Sequence, residues 1–360
     1  MKRFLLLPLL ALMALAASAQ KQDDNGQKAR YQVFGVAFYN LENLFDTIPN
    51  NPLGLDAEFT PQGPRQWTGK RYRSKIGNLA TAICNFPTST TPNGPAFIGV
   101  SEIENRSVLE DLVKAIDDRL KAAGKSPWNL QIVHFDSPDK RGVDVGALYN
   151  PRYFRLVDAT STLLTVEGMP NFRTRDQLCV TGVMGKDTVS VIVNHWPSRI
   201  GGQEQSSHLR EAAAALSKHI ADSLWRIRPD QGVIIMGDLN DDPHDKSCAK
   251  VLGATKKPDG VEPHGFYNPF WSILDKGIGT LAYRSQWNLF DQIIVSGTLL
   301  EANSGKQDLH YWKAQVNNYD FLRDTEGARQ NYPLRTYSAG VFLDGYSDHF
   351  PTEIFLIRQR

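Results

Sequence analysis

Val233-Ile-Ile-Met236 is a short apolar run, and Gly237-Asp-Leu-Asn-Asp-Asp-Pro243 follows it directly. The run reads as a buried strand, and the glycine marks where the backbone turns. Asp238 and Asn240 then alternate onto one side. A carboxylate in that place can activate a water. An amide can hold a phosphate oxygen without adding repulsive charge. Taken alone, the segment is equally an Asx turn leaving a strand.

The same arrangement recurs along the chain. Phe38-Tyr-Asn40 ends an alternating strand at 33–39, and Gly99-Val-Ser-Glu102 ends an apolar strand at 96–100 in a carboxylate. Asn194-His-Trp-Pro-Ser-Arg199 ends a strand at 188–193. Phe290-Asp291 puts an acid at the mouth of a strand at 290–295. Tyr346-Ser-Asp-His-Phe-Pro351 leads into a closing strand at 352–356. Asp348 and His349 are adjacent, so in extended chain they point apart and each needs another partner. Further strands are expected at 130–135 and 145–149.

Helical periodicity fills the gaps. Residues 68–86 place Tyr72, Ile76, Leu79, Ala80 and Ile83 on one face. Ser107-Val-Leu-Glu110 reads as a capping box opening a second helix, with Leu109, Leu112, Val113, Ile116 and Leu120 inward. A third helix is expected from Ser206 or Ser207 to about Trp225. Residues 50–63 and 258–279 are rich in Gly, Pro and Asn and read as loops. With no internal repeat and no dividing linker, residues 31–360 are expected to form one domain.

Asn, Glu, Asp, Asn, His and Asp thus gather at the ends of separate strands. Oxygen ligands without a thiolate suit Mg²⁺, Mn²⁺ or Ca²⁺ better than zinc. The ordered series Phe38-Tyr-Asn40, Ser101-Glu102, Asn194-His195, Gly237-Asp-Leu-Asn240, Phe290-Asp291 and Ser347-Asp-His349 resembles the motif series of the endonuclease/exonuclease/phosphatase superfamily. The longer forms Phe38–Phe45 and Asn194–Arg199 look like its secreted bacterial branch.

The resemblance implies an α+β fold, a four-layer α/β/β/α sandwich of two mostly antiparallel sheets flanked by helices. It implies phosphoester hydrolysis by in-line attack of water at a divalent metal, Mg²⁺ with Mn²⁺ or Ca²⁺ as substitutes. In its terms Glu102 is the main metal ligand, with Asn40 nearby and Asp348 beside the metal. Asp238 orients and deprotonates the water, and Asn240 holds a phosphate oxygen. His349, oriented by Asp291, stabilises the transition state, and His195 contacts the phosphate or assists the leaving oxygen. Asp144 lies where a carboxylate supporting His195 would fall, with a bond to Arg141 as the alternative. Glu104 is one alternation from Glu102 and reads as a salt-bridge or supporting group. For Glu42 and Asn43, loop capping and metal contact both stand.

Composition bounds the rest. The chain has 360 residues, 41% hydrophobic, so a large core is available. Lys2 and Arg3, an apolar run at 4–17 and Ala17-Ser-Ala19 read as a secretory signal peptide at 1–19, followed by a polar lead-in at 20–30. Export, to periplasm or medium, follows as an expectation. Losing two of 40 cationic side chains leaves 38 against 39 anionic ones, a net charge of −1. A strongly basic nucleic-acid coat is thereby excluded, but a local basic patch is not. Cys84, Cys179 and Cys248 allow one disulfide at most and read as buried thiols.

The partner expected is a phosphoester, with nucleic acid ranked first. Gln66–Lys75 carries four cations with Trp67 and Tyr72, and Arg199 sits beside His195 as a phosphate-contact candidate. A phosphomonoester or a lipid phosphodiester ranks second. A secreted binding module without chemistry ranks last, because every metal and catalytic position is filled.

Overall fold

The computed structural model describes residues 30–283, 285–305 and 308–360. The expected signal peptide and residues 20–29 of the lead-in lie outside them. Among the described residues, no helix is long and apolar enough to cross a membrane.

Two sheets pack face to face. The first contains β1 (Tyr31–Leu44), β2 (Phe97–Ile103), β3 (Gln131–His134), β4 (Asp144–Tyr149), β14 (His310–Val316) and β17 (Thr352–Gln359), in the order β14-β17-β1-β2-β4-β3. The second contains β5 (Phe154–Thr162), β6 (Gln177–Met184), β7 (Asp187–His195), β8 (Gly232–Asp238), β9 (Ala254–Thr255), β10 (Phe266–Tyr267) and β13 (Asp291–Ser296), in the order β5-β6-β7-β8-β13-β10-β9. Most pairings are antiparallel. β1 runs parallel to β2, β7 to β8 and β9 to β10. Two small hairpins, β11 (Leu281–Tyr283) with β12 (Gln286–Asn288) and β15 (Tyr337–Ser338) with β16 (Val341–Phe342), stand outside the sheets.

Alternation along each strand decides the layers. Phe34, Val36 and Phe38 of β1 meet Val191, Val193, Ile234 and Met236 in a buried cluster between the sheets. Ala37 and Tyr39 point the other way, under α1 (Gly69–Cys84) and α2 (Arg106–Ala122). Ile192, Val233 and Ile235 pack under α3 (Gln203–Ile227). The expected four-layer α/β/β/α order is what forms. The sheets approach closely at Gly99, where a Cβ would lie 2.4 Å from Met236 Sδ.

The buried face of α1 is Tyr72, Ile76, Leu79, Ala80 and Ile83, as its periodicity requires, and Lys75 is buried with it. The N-cap of α2 is Asn105, whose side chain accepts from Val108 N at 3.2 Å. The expected Ser107 capping box is therefore corrected, since an amide two residues earlier already satisfies the first turn. Residues 258–279 are not wholly loop. They hold β10 and the short α4 (Phe270–Leu274), with Phe266 and Phe270 buried. The three cysteines are unpaired, with Cys179 and Cys248 buried and Cys84 half-buried.

Candidate active site

One oxygen is the focus of the strand ends. Asn40, on β1, donates from Nδ2 to Asp238 Oδ2 at 3.1 Å, bridging the two sheets. His195 Nε2, at the end of β7, lies 3.5 Å from that oxygen, and His349 Nε2 lies 3.9 Å from it. The other carboxylate oxygen of Asp238 accepts the backbone N–H of Asn240 at 3.1 Å. Asp291 is the register partner of Asp238, and its Oδ2 is 2.7 Å from His349 Nδ1. Ser347 completes the frame. Its hydroxyl donates to Asn40 O at 2.7 Å and accepts the N–H of His349 at 3.1 Å.

The central strands of the first sheet end in bulges. Register shifts between Asn40 and Leu44 on β1, and between Ser101 and Ile103 on β2. Glu42, Asn43, Glu102 and Asn240 all have φ between 49° and 59°, the left-handed region costly for residues with a Cβ. Four such residues at one rim mark a place where the surrounding structure overrides backbone preference. The bulge explains one departure from the sequence reading. Alternation predicts Glu104 on the side of Glu102, but the extra residue separates them. Glu104 instead accepts the N–H of Asp46 at 2.7 Å, and burial pushes its carboxyl up to about 7.

Charge is distributed unevenly. Burial pushes the Asp238 carboxyl up to about 6, with the nearby charge of His349 pulling the other way. Burial opposes the charge of His349, but Asp291 and Asp238 outweigh it and hold the imidazole well above its ordinary value. Burial holds His195 well below its ordinary value, and Arg175 and Arg141 add to the effect. At neutral pH the site therefore presents a charged His349, a neutral His195, and a carboxylate at Asp238 with the basicity a proton acceptor needs.

The expected metal-binding carboxylates face the same rim. Glu102 accepts from Asn43 N at 2.9 Å and from Arg141 Nη1 at 2.9 Å. Asp348 pairs with Arg335. Contrary to the expectation that the two adjacent side chains part, Asp348 Oδ1 lies 4.0 Å from His349 Nε2, while His349 Nδ1 turns to Asp291. Glu42, two residues past Asn40, accepts from Thr336 N at 2.7 Å and sits 3.5 Å from the buried ammonium of Lys75. Glu42 thus caps a distant loop, and Asn43 receives Arg141 on its side-chain oxygen.

Two supporting assignments are corrected. Asp144 bonds neither His195 nor Arg141. It meets His134 Nε2 at 2.9 Å and accepts from Ser137 N at 2.9 Å, because β3, the hairpin partner of β4, carries His134. Arg199 is not free for phosphate. Its guanidinium lies over the Phe290 ring, bonds Asn240 O at 2.8 Å, and meets Asp241, Asp242 and Asp245 within 3.6 Å. Its role in the structure is to pin the loop that carries Asn240.

Arg335 and Thr280 carry no functional signal in the sequence, and Lys75 is legible there only as one of the four cations of Gln66–Lys75. Lys75 donates to Thr336 and to Tyr346 O, across about three-quarters of the chain. Thr280 O accepts the N–H of Phe350, and Thr280 Oγ1 the N–H of Asp291. No periodicity signals contacts of that separation.

A divalent cation fits the chemistry of these donors. Glu102, Asp348 and Asn40 offer hard carboxylate and amide oxygens. Among the described residues, three groups bring ligand atoms within 4.8 Å of one another: Asp238, Asp291 and His349; His134, Asp136 and Asp144; and Asp242, His244 and Asp245. In the first, His349 Nδ1 is already committed to Asp291.

Residues 35–358 match the family described as "Endonuclease/Exonuclease/phosphatase family". No curated protein matches. Among solved structures, truncated Caenorhabditis elegans TDP2 is similar over 90% of this chain and 97% of its own, at 13% identity and TM-score 0.51. An endonuclease/exonuclease/phosphatase family protein from Bacteroides thetaiotaomicron is similar over 92% of this chain and 97% of its own, at 16% identity and TM-score 0.52. D. rerio TDP2, humanized by 14 mutations, covers 90% of this chain and 99% of its own, at 12% identity and TM-score 0.52. At these identities the likeness speaks to the fold.

Proposed function

The chain belongs to the endonuclease/exonuclease/phosphatase family, and on that premise we propose that it hydrolyses phosphoesters by in-line attack of a water that Asp238 holds and deprotonates. The observation that carries the reading is the convergence of Asn40, His195 and His349 on Asp238 Oδ2, with Asp291 behind His349. Asn40 orients the carboxylate. His349, kept charged by Asp291, stabilises the charge that grows on the phosphoryl oxygens. His195 enters neutral, so it can accept a hydrogen bond or take a proton without repelling His349. Asn240 donates one Nδ2 proton to Trp196 O at 3.0 Å, and its second amide N–H would hold a phosphate oxygen. A divalent cation, Mg²⁺ by preference, would be held by Glu102 and Asp348 with Asn40 beside it, and supplies Lewis-acid polarisation of the phosphoryl group.

The substrate reading moves away from nucleic acid and toward a small phosphoester. Nucleic acid rested on Arg199 and on Gln66–Lys75. Three aspartates surround Arg199, Lys75 is buried against Glu42, and Arg71 bonds the carbonyls of Arg65 and Gln66. Supercoiled plasmid, bis-p-nitrophenyl phosphate and glycerol 3-phosphate, each in Mg²⁺ with and without EDTA, separate the readings. EDTA-sensitive release from the small esters with intact plasmid supports the proposal. Plasmid nicking restores the nuclease reading. Export is proposed on residues 1–19 alone. Amino-terminal sequencing of protein recovered outside the cytoplasm, starting at Gln20, supports it.

A further inference from the structure

A cavity of about 430 Å³, lined in part by the Arg199 that bonds Asn240 O, is used by none of the steps above. Its walls include Asp242 and His244, just past the Asn240 turn, and Tyr283, Gln286, Trp287 and Asn288 on the β11–β12 hairpin. The hairpin is tied to the segments that carry Asn240 and His349. Leu289 N donates to Asp242 Oδ1 at 2.7 Å, and Asn288 O accepts from Thr280 N at 2.8 Å. Trp287 stacks on Phe350, the neighbour of His349, with ring centroids 6.1 Å apart and planes at 17°.

We propose, resting on the phosphoester-hydrolase reading above, that this cavity receives the leaving group of the substrate and is shaped for one uncharged polyhydroxylated ring, a monosaccharide bearing the phosphate. Three observations support it. The volume is at the small end for ligand pockets, roughly 300–1,000 Å³, so it suits one ring and not a chain of nucleotides. The walls pair aromatic surfaces, Trp287 and Tyr283, with amides, a carboxylate and an imidazole. Aromatic faces take the C–H face of a sugar ring, while those polar groups take and give hydrogen bonds to its hydroxyls. The charge is also unsuited to a second phosphate. Among the described residues of the wall, the guanidinium is that of Arg199, which is shared among Asp241, Asp242 and Asp245, so a neighbouring phosphate of a polynucleotide would meet carboxylates there.

The test compares kcat/KM in Mg²⁺ for a hexose 6-phosphate, an oligosaccharide with a terminal hexose phosphate, glycerol 3-phosphate and a nucleoside 5′-monophosphate. Wild type, Tyr283→Ala, Tyr283→Phe and Trp287→Phe are measured, with thermal melts to confirm folding. Tyr283 is 63% exposed on the hairpin, so its truncation leaves the core intact. The proposal expects hexose phosphates to exceed glycerol phosphate and the nucleotide at least tenfold. It also expects Tyr283→Ala to cut that ratio severalfold through KM, and Tyr283→Phe to retain it. The oligosaccharide arm tells a free sugar phosphate from a glycan end. Equal turnover of glycerol phosphate or the nucleotide, or an unchanged ratio in Tyr283→Ala, overturns the subsite and leaves the hydrolase reading standing. No EDTA-sensitive turnover of any phosphoester overturns both.

Discussion

Replacing Asp291 with asparagine should separate activity from folding. Asp291 is fully buried, one oxygen is 2.7 Å from His349 Nδ1, and the other has no hydrogen-bond partner among the described residues. Asparagine keeps the shape and removes the charge. Burial by itself favours the neutral imidazole, so losing the first carboxylate that opposes burial lowers the proton affinity of His349. A preorganised charged donor of this kind contributes about 2–4 kcal/mol to a transition state, which is roughly 30- to 900-fold in kcat. The sign with pH follows. His349 in the wild type holds its proton past its ordinary value, so activity should persist into alkaline conditions. In Asp291→Asn the proton is lost earlier, and the alkaline limb should move to lower pH. The assay is kcat/KM against pH in Mg²⁺, with a thermal melt at each pH. A folded variant whose kcat stays within threefold of wild type, with an unmoved alkaline limb, would refute the role given to the pair.

Other predictions concern stability. Glu353 is fully buried on β17, one oxygen lacks a hydrogen-bond partner among the described residues, and burial pushes its carboxyl up to about 8 from 4.5. A folded-state value above the unfolded one means that the fold holds a proton the unfolded chain releases. Stability should therefore fall as pH rises from about 4.5 to about 8, by on the order of 1–3 kcal/mol, and Glu353→Gln should flatten the profile. Urea unfolding at pH 5.5 and pH 8 measures this, and parallel profiles for the two proteins would count against it. Arg199→Ala leaves the buried Asp241 and Asp242 with less compensation, and should cost about 2–4 kcal/mol in urea unfolding while lowering activity through the Asn240 loop. A loss below about 0.5 kcal/mol, the scale of an exposed pair, would return Arg199 to the role of a substrate contact.

What was legible in the sequence follows from which forces act locally. Strands such as β8 are apolar throughout because both faces are covered, and their polar ends were visible as breaks in the apolar run. β5 was missed because it is an edge strand with mostly exposed residues and neither alternation nor an apolar run. The turn residues Asp238 and Asn240 were readable from their spacing. The bulges at Asn40 and Glu102 were not, since an inserted residue leaves the composition of a strand unchanged while reversing the faces beyond it. Arg199 shows the same boundary. A cation in a motif loop invites a phosphate, and only the fold brings Asp245 and Phe290 around it. Asp144, expected just before the strand at 145–149, is the first residue of β4 and meets a different histidine, because His134 lies on the hairpin partner of that strand.

The most direct test of the central claim is release of phosphate or p-nitrophenol from a small phosphoester by the purified protein, in Mg²⁺ and in EDTA, for wild type and Asp238→Asn. The account predicts turnover in Mg²⁺, none in EDTA, and a fall of at least about 100-fold in a folded Asp238→Asn protein, the scale of losing a general base. Turnover that survives EDTA, or that Asp238→Asn retains, would contradict it.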